Sequence, residues 1–389
     1  MKKTFLLSCL MLAAMPVMAA YTGHVYVDKN KNGVFDQSEK PLAGIKVSDG
    51  LNVVETAADG SFTLPGHERE RFIFITTPSG YKTFNHHYHK IEKKQSGYDF
   101  GLIPYSGRIR KDGSHRYIHI TDTEIFNTEN HADWVNNVRD YARNEQAAFI
   151  IHTGDICYEK GLKAHIKLMN TENMDCPVFY CIGNHDLVKG KYGEELFESI
   201  YGPVYYSFDA GNVHYVVTPM SGGDHAPGYT SDDVCRWLKN DLAHIRPGTP
   251  VVVFNHDLLT YEDTFIFKSK NAGSINLNEY NLKAWVYGHW HINYMKKQGD
   301  VYSVCTSSLD KGGIDHSTTA FRVMHVDSKG DFTSELRYTY LDKNICIASP
   351  AGVMASGVLP VAVNVYSSVS PVREVLYTCL LYTSDAADE

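Results

Sequence analysis

Five apolar segments of this sequence each end in side chains that can bind a metal ion or move a proton. The residues concerned are Asp122, Asp155, Asn184 with His185 and Asp186, His256, and His289 with His291. Carboxylate, amide and imidazole groups without a thiolate suit cations such as iron, manganese or zinc. The candidates outnumber what one ion needs, and the pattern therefore indicates two ions that share a bridging carboxylate.

Two metal ions about 3.5–4 Å apart can hold a hydroxide between them and stabilise both oxygens of an in-line displacement at phosphorus. Side chains that are distant in sequence can meet when they follow the carboxyl ends of strands in an α/β sheet, where ligands bind. The residue types are therefore compatible with displacement at phosphorus by a hydroxide held between two metal ions.

The segments that must position these residues alternate between strand and helix patterns from residue 112 to about 340. Strand patterns such as "RYIHIT" and "PVVVFN" are interleaved with helical patterns such as "HADWVNNVRDYARNE" and "SDDVCRWLKNDLAHI". This alternation predicts an α/β domain built around a mixed or parallel sheet. Residues 21–104 instead show short runs at period two, broken by Asp-Gly and Pro-Ser-Gly turns, which predict an antiparallel β-sandwich.

Four short motifs together resemble the calcineurin-like metallophosphoesterase superfamily: Gly154-Asp155, "GNHD" at 183–186, the lone His256 and "GHWH" at 288–291. Their order and spacing both fit, and the resemblance covers residues 112–340. It implies a β-sheet sandwich flanked by helices. The preceding β-sandwich, of immunoglobulin or transthyretin type, and a β-rich segment at 345–378 resemble the domains that accompany one secreted bacterial branch of the superfamily.

The resemblance also implies a role for each motif residue. The ligands would be Asp122 and His291 for the first metal, Asn184, His256 and His289 for the second, and Asp155 as the bridge. His185 would protonate the leaving alkoxide, and Asp186 would orient the ring of His185. General acid catalysis of this kind typically contributes about 10²–10⁴-fold.

Glu124 departs from the superfamily pattern, which usually has a histidine ligand two residues after the first aspartate. Purple acid phosphatases within the superfamily have glycine there and take a tyrosinate from a G-D-x-x-Y motif, which Gly154–Tyr158 matches here. Tyr158 is either a metal ligand, which would favour Fe³⁺, or a tyrosine packed at a helix start. Glu124 can alternatively bind metal itself, because carboxylates are competent ligands.

The β-sandwich contains a second candidate cation site, the loop "DKNKNGVFDQSE". It fits the calcium-loop pattern D-x-[DN]-x-[DN]-G-x5-E at every position. The oxygen ligands would be Asp28, Asn30, Asn32, Asp36 and Glu39. The flanking segments have strand and loop character, so this is not an EF-hand. The hypothesis is a stabilising calcium ion, and the alternative is a solvated Asn/Asp turn.

Both ends of the chain carry separate signals. Residues 1–20 combine two lysines, an apolar run and small residues at a cleavage position, which predicts a signal peptide and a periplasmic, extracellular or cell-surface location. The apolar run is shorter than the ~20 residues of a membrane span. The β-rich segment at 345–378 is interpreted as the start of a truncated domain. Residues 379–389, "CLLYTSDAADE", resemble the translation of a sequencing adapter.

Composition narrows the function further. The formal net charge of −8 argues against nucleic-acid binding, which needs basic patches.

Several histidines are interpreted as non-catalytic: His119, His152 and His214 within strands, and His165 and His244 on helix surfaces. In "DKGGIDHS", the side chains of Asp315 and His316 are candidates for substrate contact, with an ordinary turn as the alternative. Oligomeric state and disulfide pairing cannot be predicted from the sequence.

The leading hypothesis is a secreted binuclear metal-dependent phosphoesterase that hydrolyses a small-molecule phosphomonoester or phosphodiester. The alternative is a non-catalytic cell-surface protein that binds glycans or mediates adhesion on a vestigial phosphatase scaffold. The Asn184-His185 pair favours the enzyme, because a binding module has no need of it.

Overall fold

The computed structural model describes residues 20–93, 95, 97–340, 343–349, 358, 361–367 and 372–377. The predicted signal peptide, apart from its last residue, and the segment 379–389 lie outside the described residues. Part of the predicted third domain at 345–378 is described, and it contains one antiparallel hairpin. The truncated domain stays a prediction.

The N-terminal domain is a β-sandwich, as predicted, but it is not wholly antiparallel, because its first strand pairs in parallel with its last. Its strands are β1 (Ala20–Val27), β2 (Lys40–Pro41), β3 (Lys46–Ser48), β4 (Val53–Glu55), β5 (Ser61–Pro65), β6 (Phe72–Ile75), β7 (Tyr81–Thr83), β8 (Tyr88–Lys90) and β9 (Phe100–Pro104). One sheet has the order β2-β1-β9-β7, with β5 also paired to β1, and the other has the order β4-β3-β6-β8. Alternating residues such as Val25, Phe62 and Ile73 point inward and form the core.

The second domain has the predicted α/β architecture. In chain order, its elements and the following hairpin are β10 (His115–Ile120), α1 (Ala132–Asn144), β11 (Phe149–His152), α2 (Tyr158–Leu168), α3 (Thr171–Met174), β12 (Val178–Tyr180), α4 (Glu195–Tyr201), β13 (Tyr206–Ala210), β14 (Val213–Val217), α5 (Ser231–Ala243), β15 (Val251–Phe254), β16 (Ile266–Lys268), β17 (Ser274–Asn276), β18 (Leu282–Tyr287), β19 (Tyr294–Gln298), β20 (Val301–Cys305), β21 (Ala320–Val326), β22 (Phe332–Tyr338), β23 (Lys343–Ser349) and β24 (Ala362–Ser367).

Two mixed sheets form the centre of this domain. Their orders are β12-β11-β10-β21-β22 and β13-β14-β15-β18-β20-β19, and the central strands of each sheet run parallel. Aromatic rings fill the space between the sheets: Tyr117 stacks on Phe149 at 4.8 Å, and both rings contact Tyr215 edge-on. Aromatic pairs of this geometry contribute about 0.5–1.5 kcal/mol beyond the burial of their area. The strand ends that carry the candidate ligands are thus held by a rigid core.

The helices cover the outer faces of the sheets through apolar stripes. In α1, Trp134 and Val138 are fully buried, and in α5 Trp237 and Leu238 are fully buried. A capping box begins α5, in which the Thr230 hydroxyl accepts the backbone N–H of Asp233. Among the described residues, none of the helices is both long and apolar enough to cross a membrane.

One helix prediction is wrong in its orientation. His165 was expected on the surface, but it is fully buried on the inner face of α2, and its ring contacts His152 at 4.9 Å. The spacing of three residues from Leu162 places both side chains on the same buried face of the helix. His244 is exposed, as predicted. His119, His152 and His214 are buried and hydrogen-bonded, which confirms their structural interpretation.

The cysteines described in the second domain are buried and unpaired: Cys157, Cys176, Cys181, Cys235 and Cys305. Burial raises the pKa of the Cys176 thiol to about 12. These thiols therefore behave as small apolar side chains.

The buried ring of His214 lies between two carboxylates, with its nitrogens 2.6 Å from Asp209 and 2.9 Å from Asp241. Desolvation opposes a charge on His214, yet Asp241 and Asp209 raise its pKa above 6.5. We expect His214→Ala to lower the free energy of unfolding by about 3–5 kcal/mol, because Asp241 is left buried and unpaired. Urea titration of both proteins measures the difference.

The sign of the pH dependence follows from the raised pKa. The protonated ring stabilises the fold fully below pH 6.5, the ordinary pKa, and this contribution is lost as the pH rises through the folded-state pKa. The difference between wild type and variant should therefore narrow toward alkaline pH. The exposed His244→Ala serves as the control, with an expected change below about 0.5 kcal/mol. A difference that is constant with pH would contradict a charged His214.

Candidate metal centre

Five loops meet at the carboxyl ends of β10, β11, β12, β15 and β18. Two glycines permit this close approach, because a Cβ at Gly183 would lie 2.2 Å from Asp155 Oδ1, and a Cβ at Gly288 would lie 1.9 Å from Thr121 Oγ1. Neither position has room for a side chain. The sequence-distant motifs therefore form one cluster because glycine stands at the points where the loops touch.

Asp122 forms one side of the cluster and is fully buried. Its Oδ2 accepts the Thr121 hydroxyl at 2.6 Å and the backbone N–H of His289 at 3.0 Å. Among the described residues its Oδ1 has no hydrogen-bond partner, and it lies 3.3 Å from His291 Nε2 and 4.0 Å from His256 Nε2. A buried carboxylate oxygen in this state is costly unless a cation compensates it, so these residues fit a metal ion.

Asp155 lies between the two sides. Its Oδ2 is 3.1 Å from His256 Nε2, and its Oδ1 accepts the backbone N–H of His185 at 3.0 Å. Ligand atoms of Asp155, His256 and His289 all lie within 4.8 Å of one another, and Asp155 forms a second such group with Glu124 and Cys157. Asp155 therefore lies within reach of both the His256 side and the Glu124 side of the cluster.

His256 is oriented by a backbone contact. Its Nδ1 is 2.7 Å from the carbonyl oxygen of Thr153, which makes Nδ1 the protonated nitrogen and directs Nε2 into the cluster. There Nε2 lies 3.1 Å from the amide oxygen of Asn184. Desolvation opposes a charge on the ring, yet Asp155 raises the pKa of His256 to about 10. The cluster thus has a negative field that attracts cations.

Glu124 lies on the same side of the cluster as Asp122 and His291. Its Oε1 is 3.5 Å from His291 Nε2, and its Oε2 forms an ion pair with the ammonium group of Lys311. Lys311 belongs to the loop that follows β20, and the sequence analysis did not identify it. Its only signal in the sequence is its position in "DKGGIDHS", where Asp315 and His316 were singled out instead.

Asp315 and His316 stay predictions as substrate contacts. Both side chains are exposed, and the carboxylate of Asp315 accepts the backbone N–H of Ser317 at 3.0 Å. Their loop does contact the site, because the backbone N–H of Ile314 donates to the carbonyl of His291 at 2.9 Å.

Tyr158 lies at the start of α2 and is 44% exposed. Its ring stacks on Phe126 at 6.3 Å and lies 5.4 Å from the ring of His185. The tyrosine therefore lines the mouth of the site beside His185. Metal ligation by its hydroxyl stays a prediction.

The predicted role of Asp186 is wrong. Its carboxylate is fully buried and accepts the backbone N–H groups of Cys157 at 2.8 Å and Gly183 at 2.9 Å, and burial raises its pKa to about 7. The partner of His185 is Asp224, whose Oδ2 is 2.9 Å from His185 Nδ1. Adjacency in sequence was misleading here, because consecutive side chains in the turn at 184–186 point in different directions.

The hydrogen bond with Asp224 changes the acidity of His185. Desolvation opposes protonation of the ring, but the contact with Asp224 and the charge of Asp155 raise its pKa above 6.5. His185 is partly exposed, with 34% of its side chain accessible. It can therefore exchange a proton with a molecule at the mouth of the site.

Backbone strain concentrates in this cluster. Left-handed φ values, between 45° and 73°, occur at Asp122, Glu124, Asp155, Cys157, Tyr158, His289 and His291. Residues other than glycine pay about 1–3 kcal/mol for such conformations, which persist only when the surroundings enforce them. The strain is additional to the cost of the buried carboxylates.

The predicted calcium loop is closed by its own hydrogen bonds. Asp28 Oδ2 accepts the backbone N–H of Gly33 at 2.9 Å, and Glu39 Oε1 accepts that of Lys29 at 2.9 Å. Both carboxylates are buried. Calcium binding by this loop stays a prediction.

Comparison with known proteins is consistent with the motifs. Residues 115–293 match the family model described as calcineurin-like phosphoesterase, and residues 29–104 match the one described as N terminal of calcineurin-like phosphoesterase. Purple acid phosphatase 13 of Arabidopsis thaliana is 29% identical over 142 residues, which cover 34% of this chain and 25% of the plant protein. The matched region thus spans a quarter of that relative.

Two solved structures show a more distant likeness. A dimetal phosphatase from Danio rerio is 13% identical with a TM-score of 0.36, and the match covers 56% of this chain and 98% of that one. GAP50, described as the anchor in the inner membrane complex of Plasmodium, is 13% identical with a TM-score of 0.37, covering 58% and 85% of the two chains.

The position of Glu124 yields a test of its role. If Glu124 is a ligand, Glu124→Gln should weaken metal binding by at least about 10-fold, because a neutral amide replaces an anionic carboxylate. Metal content after dialysis against graded chelator measures the effect. The matched control is Glu159→Gln in α2, whose exposed carboxylate pairs with Lys163. If both variants retain wild-type metal content, Glu124 is not a ligand.

Proposed function

Because the chain belongs to the calcineurin-like phosphoesterase superfamily, we propose that it is a secreted phosphoric ester hydrolase with a binuclear metal centre. The observation that carries the proposal is the buried Oδ1 of Asp122, which accepts no hydrogen bond from the described residues and faces the imidazoles of His291 and His256. Asp155 completes the arrangement from the opposite side.

When bound, the two metal ions supply Lewis-acid and water-activating chemistry at phosphorus. The side chains that would hold them are Asp122, His291 and either Glu124 or Tyr158 at one position, Asn184, His256 and His289 at the other, and Asp155 between them. Their donor atoms suit iron, manganese or zinc, and a tyrosinate from Tyr158 would favour Fe³⁺.

His185 is the proposed general acid. Its Nδ1 is held by Asp224, which leaves Nε2 free to donate a proton to the oxygen of the leaving group. The neighbouring rings of Tyr158 and Phe126 are exposed beside it and offer the leaving group an apolar surface. Asn184 would bind metal, whereas His185 would act on the proton.

The proposed substrate is a small-molecule phosphoester. The plant relative is named an acid phosphatase, which supports a phosphomonoester as the first substrate to assay. A phosphodiester fits the same residues, and both belong to the proposal. Secretion rests on the signal-like sequence of residues 1–20.

The enzyme proposal is tested with p-nitrophenyl phosphate and bis-p-nitrophenyl phosphate, in the presence of Mn²⁺, Zn²⁺ or iron. We expect turnover of at least one compound. Asn184→Ala should abolish most activity and lower the metal content, because it removes a ligand oxygen. His185→Ala should lower kcat by about 10²–10⁴-fold while the metal content stays unchanged.

The control for these variants is His244→Ala, which changes an exposed histidine of the same domain and should retain full activity. Absence of turnover of both compounds with every metal would refute the enzyme proposal and favour the non-catalytic alternative. Loss of metal in His185→Ala would refute the division of roles between Asn184 and His185.

A further inference from the structure

We propose that the N-terminal domain positions the side chain of His185 through an ion pair between Arg71, which is partly buried, and the buried carboxylate of Glu194. This inference rests on the proposed function, in which His185 is the general acid. Arg71 immediately precedes β6 of the β-sandwich, whereas Glu194 immediately precedes α4 of the second domain. The ion pair therefore joins the two domains close to the site.

The ion pair is well defined. The guanidinium of Arg71 lies 2.8 Å from Glu194 Oε1 and 3.0 Å from Glu198 Oε1, and it covers the ring of Tyr192 at 4.4 Å. Glu194 is fully buried. Removing Arg71 would leave the buried carboxylate of Glu194 without a compensating charge, which is destabilising. Glu194 therefore depends on the N-terminal domain for its charge partner.

Glu194 in turn holds the loop at 221–230. Its two carboxylate oxygens lie 3.1 Å and 2.8 Å from the backbone nitrogen of Gly228, which donates to them. The neighbouring backbone N–H of Gly193 donates to the carbonyl of Ala226 at 2.9 Å. One end of the loop is thus fixed by the residue that pairs with Arg71.

The other end of the loop carries Asp224 to His185. The backbone N–H of Asp224 donates to the carbonyl of Asn184 at 3.1 Å, and its Oδ2 lies 2.9 Å from His185 Nδ1. Gly223 packs directly on Asn184, because a Cβ there would lie 2.2 Å from the carbonyl oxygen. Asp224 itself is exposed, so its position depends on these backbone anchors and not on burial of its side chain.

The chain of contacts predicts a selective defect. Without Arg71, the carboxylate of Glu194 becomes an unpaired buried charge, and the loop that it anchors loosens. Asp224 then no longer holds His185 Nδ1. Gly223 and Asp224 also contact the backbone of Asn184, whereas the other proposed metal ligands belong to other loops and keep their places. Arg71 and Glu194 are therefore positioning residues, and their loss should affect proton donation more than metal binding.

The experiment compares two substrates that differ in their need for a proton: phenyl phosphate, whose leaving group must be protonated, and dinitrophenyl phosphate, whose leaving group needs no proton. The corresponding methyl diesters replace them if the enzyme is a diesterase. We expect Arg71→Met and Asp224→Ala each to lower kcat for the phenyl substrate by about 10-fold or more, and for the dinitrophenyl substrate by less than about 3-fold.

Three further proteins sharpen the test. Arg69→Met removes a neighbouring arginine that is 63% exposed and paired with Asp233, and it should behave as wild type. The double variant Arg71→Met/Asp224→Ala should be no worse than Asp224→Ala, because both act through one contact. Arg71→Lys keeps the positive charge, so it should show a smaller loss of kcat with the same difference between the two substrates. If Arg71→Met fails to fold, Arg71→Lys is the variant that tests the proposal.

Nuclear magnetic resonance of the His185 ring separates failure of this inference from failure of the proposed function. At a pH where the ring is neutral, the wild type should carry its proton on Nδ1, and both Arg71→Met and Asp224→Ala should lose this single tautomer. If no protein hydrolyses either substrate but the tautomer changes, the enzyme proposal falls and the positioning role stands. Equal losses on both substrates, additive losses in the double variant, or an unchanged tautomer in Arg71→Met would overturn the positioning role.

Discussion

The second domain has to hold buried carboxylates that repel one another, and the rest of the site depends on how it does so. His256 Nε2 lies 3.1 Å from Asp155 and 4.0 Å from Asp122, so two buried acids share one imidazole. In a medium of low polarity such charges are unfavourable unless positive groups lie close by. The left-handed backbone at both aspartates adds strain. The packing of aromatic rings between the two sheets stabilises the domain and offsets this unfavourable energy.

The features that could be predicted from the sequence are those that depend only on the residues at the end of a single strand. Each motif residue follows an apolar run, so the sequence predicts that Asp122, Asp155 and His256 meet at the carboxyl ends of strands. It does not show that these strands belong to two sheets, with β10 and β11 in one and β15 in the other. The β-sandwich and the α/β alternation were predicted from periodicity for the same reason. Local pattern was sufficient because strands and helices have different side-chain periods.

The features that were missed depend on loops that approach from elsewhere. Asp224 lies in an irregular loop without a motif, and its distance of 39 residues from His185 gives no indication of contact. Lys311 reaches Glu124 across 187 residues. Asp186 was assigned to His185 because the two are adjacent, but its carboxylate caps backbone N–H groups. Sequence spacing does not report such contacts, since tertiary packing determines which loops meet.

The pairing of Glu124 with Lys311 affects how the site carries charge. A neutral side chain at position 124 would add no charge to the site. In this chain the carboxylate of Glu124 and the ammonium group of Lys311 have opposite charges, and their sum is zero. The positive charge that balances Glu124 is the ammonium group of Lys311, on a flexible side chain that is 42% exposed to solvent. Dissolved ions can screen an exposed ammonium group. The electrostatic balance of the site therefore depends on the composition of the surrounding medium, and not on the protein alone.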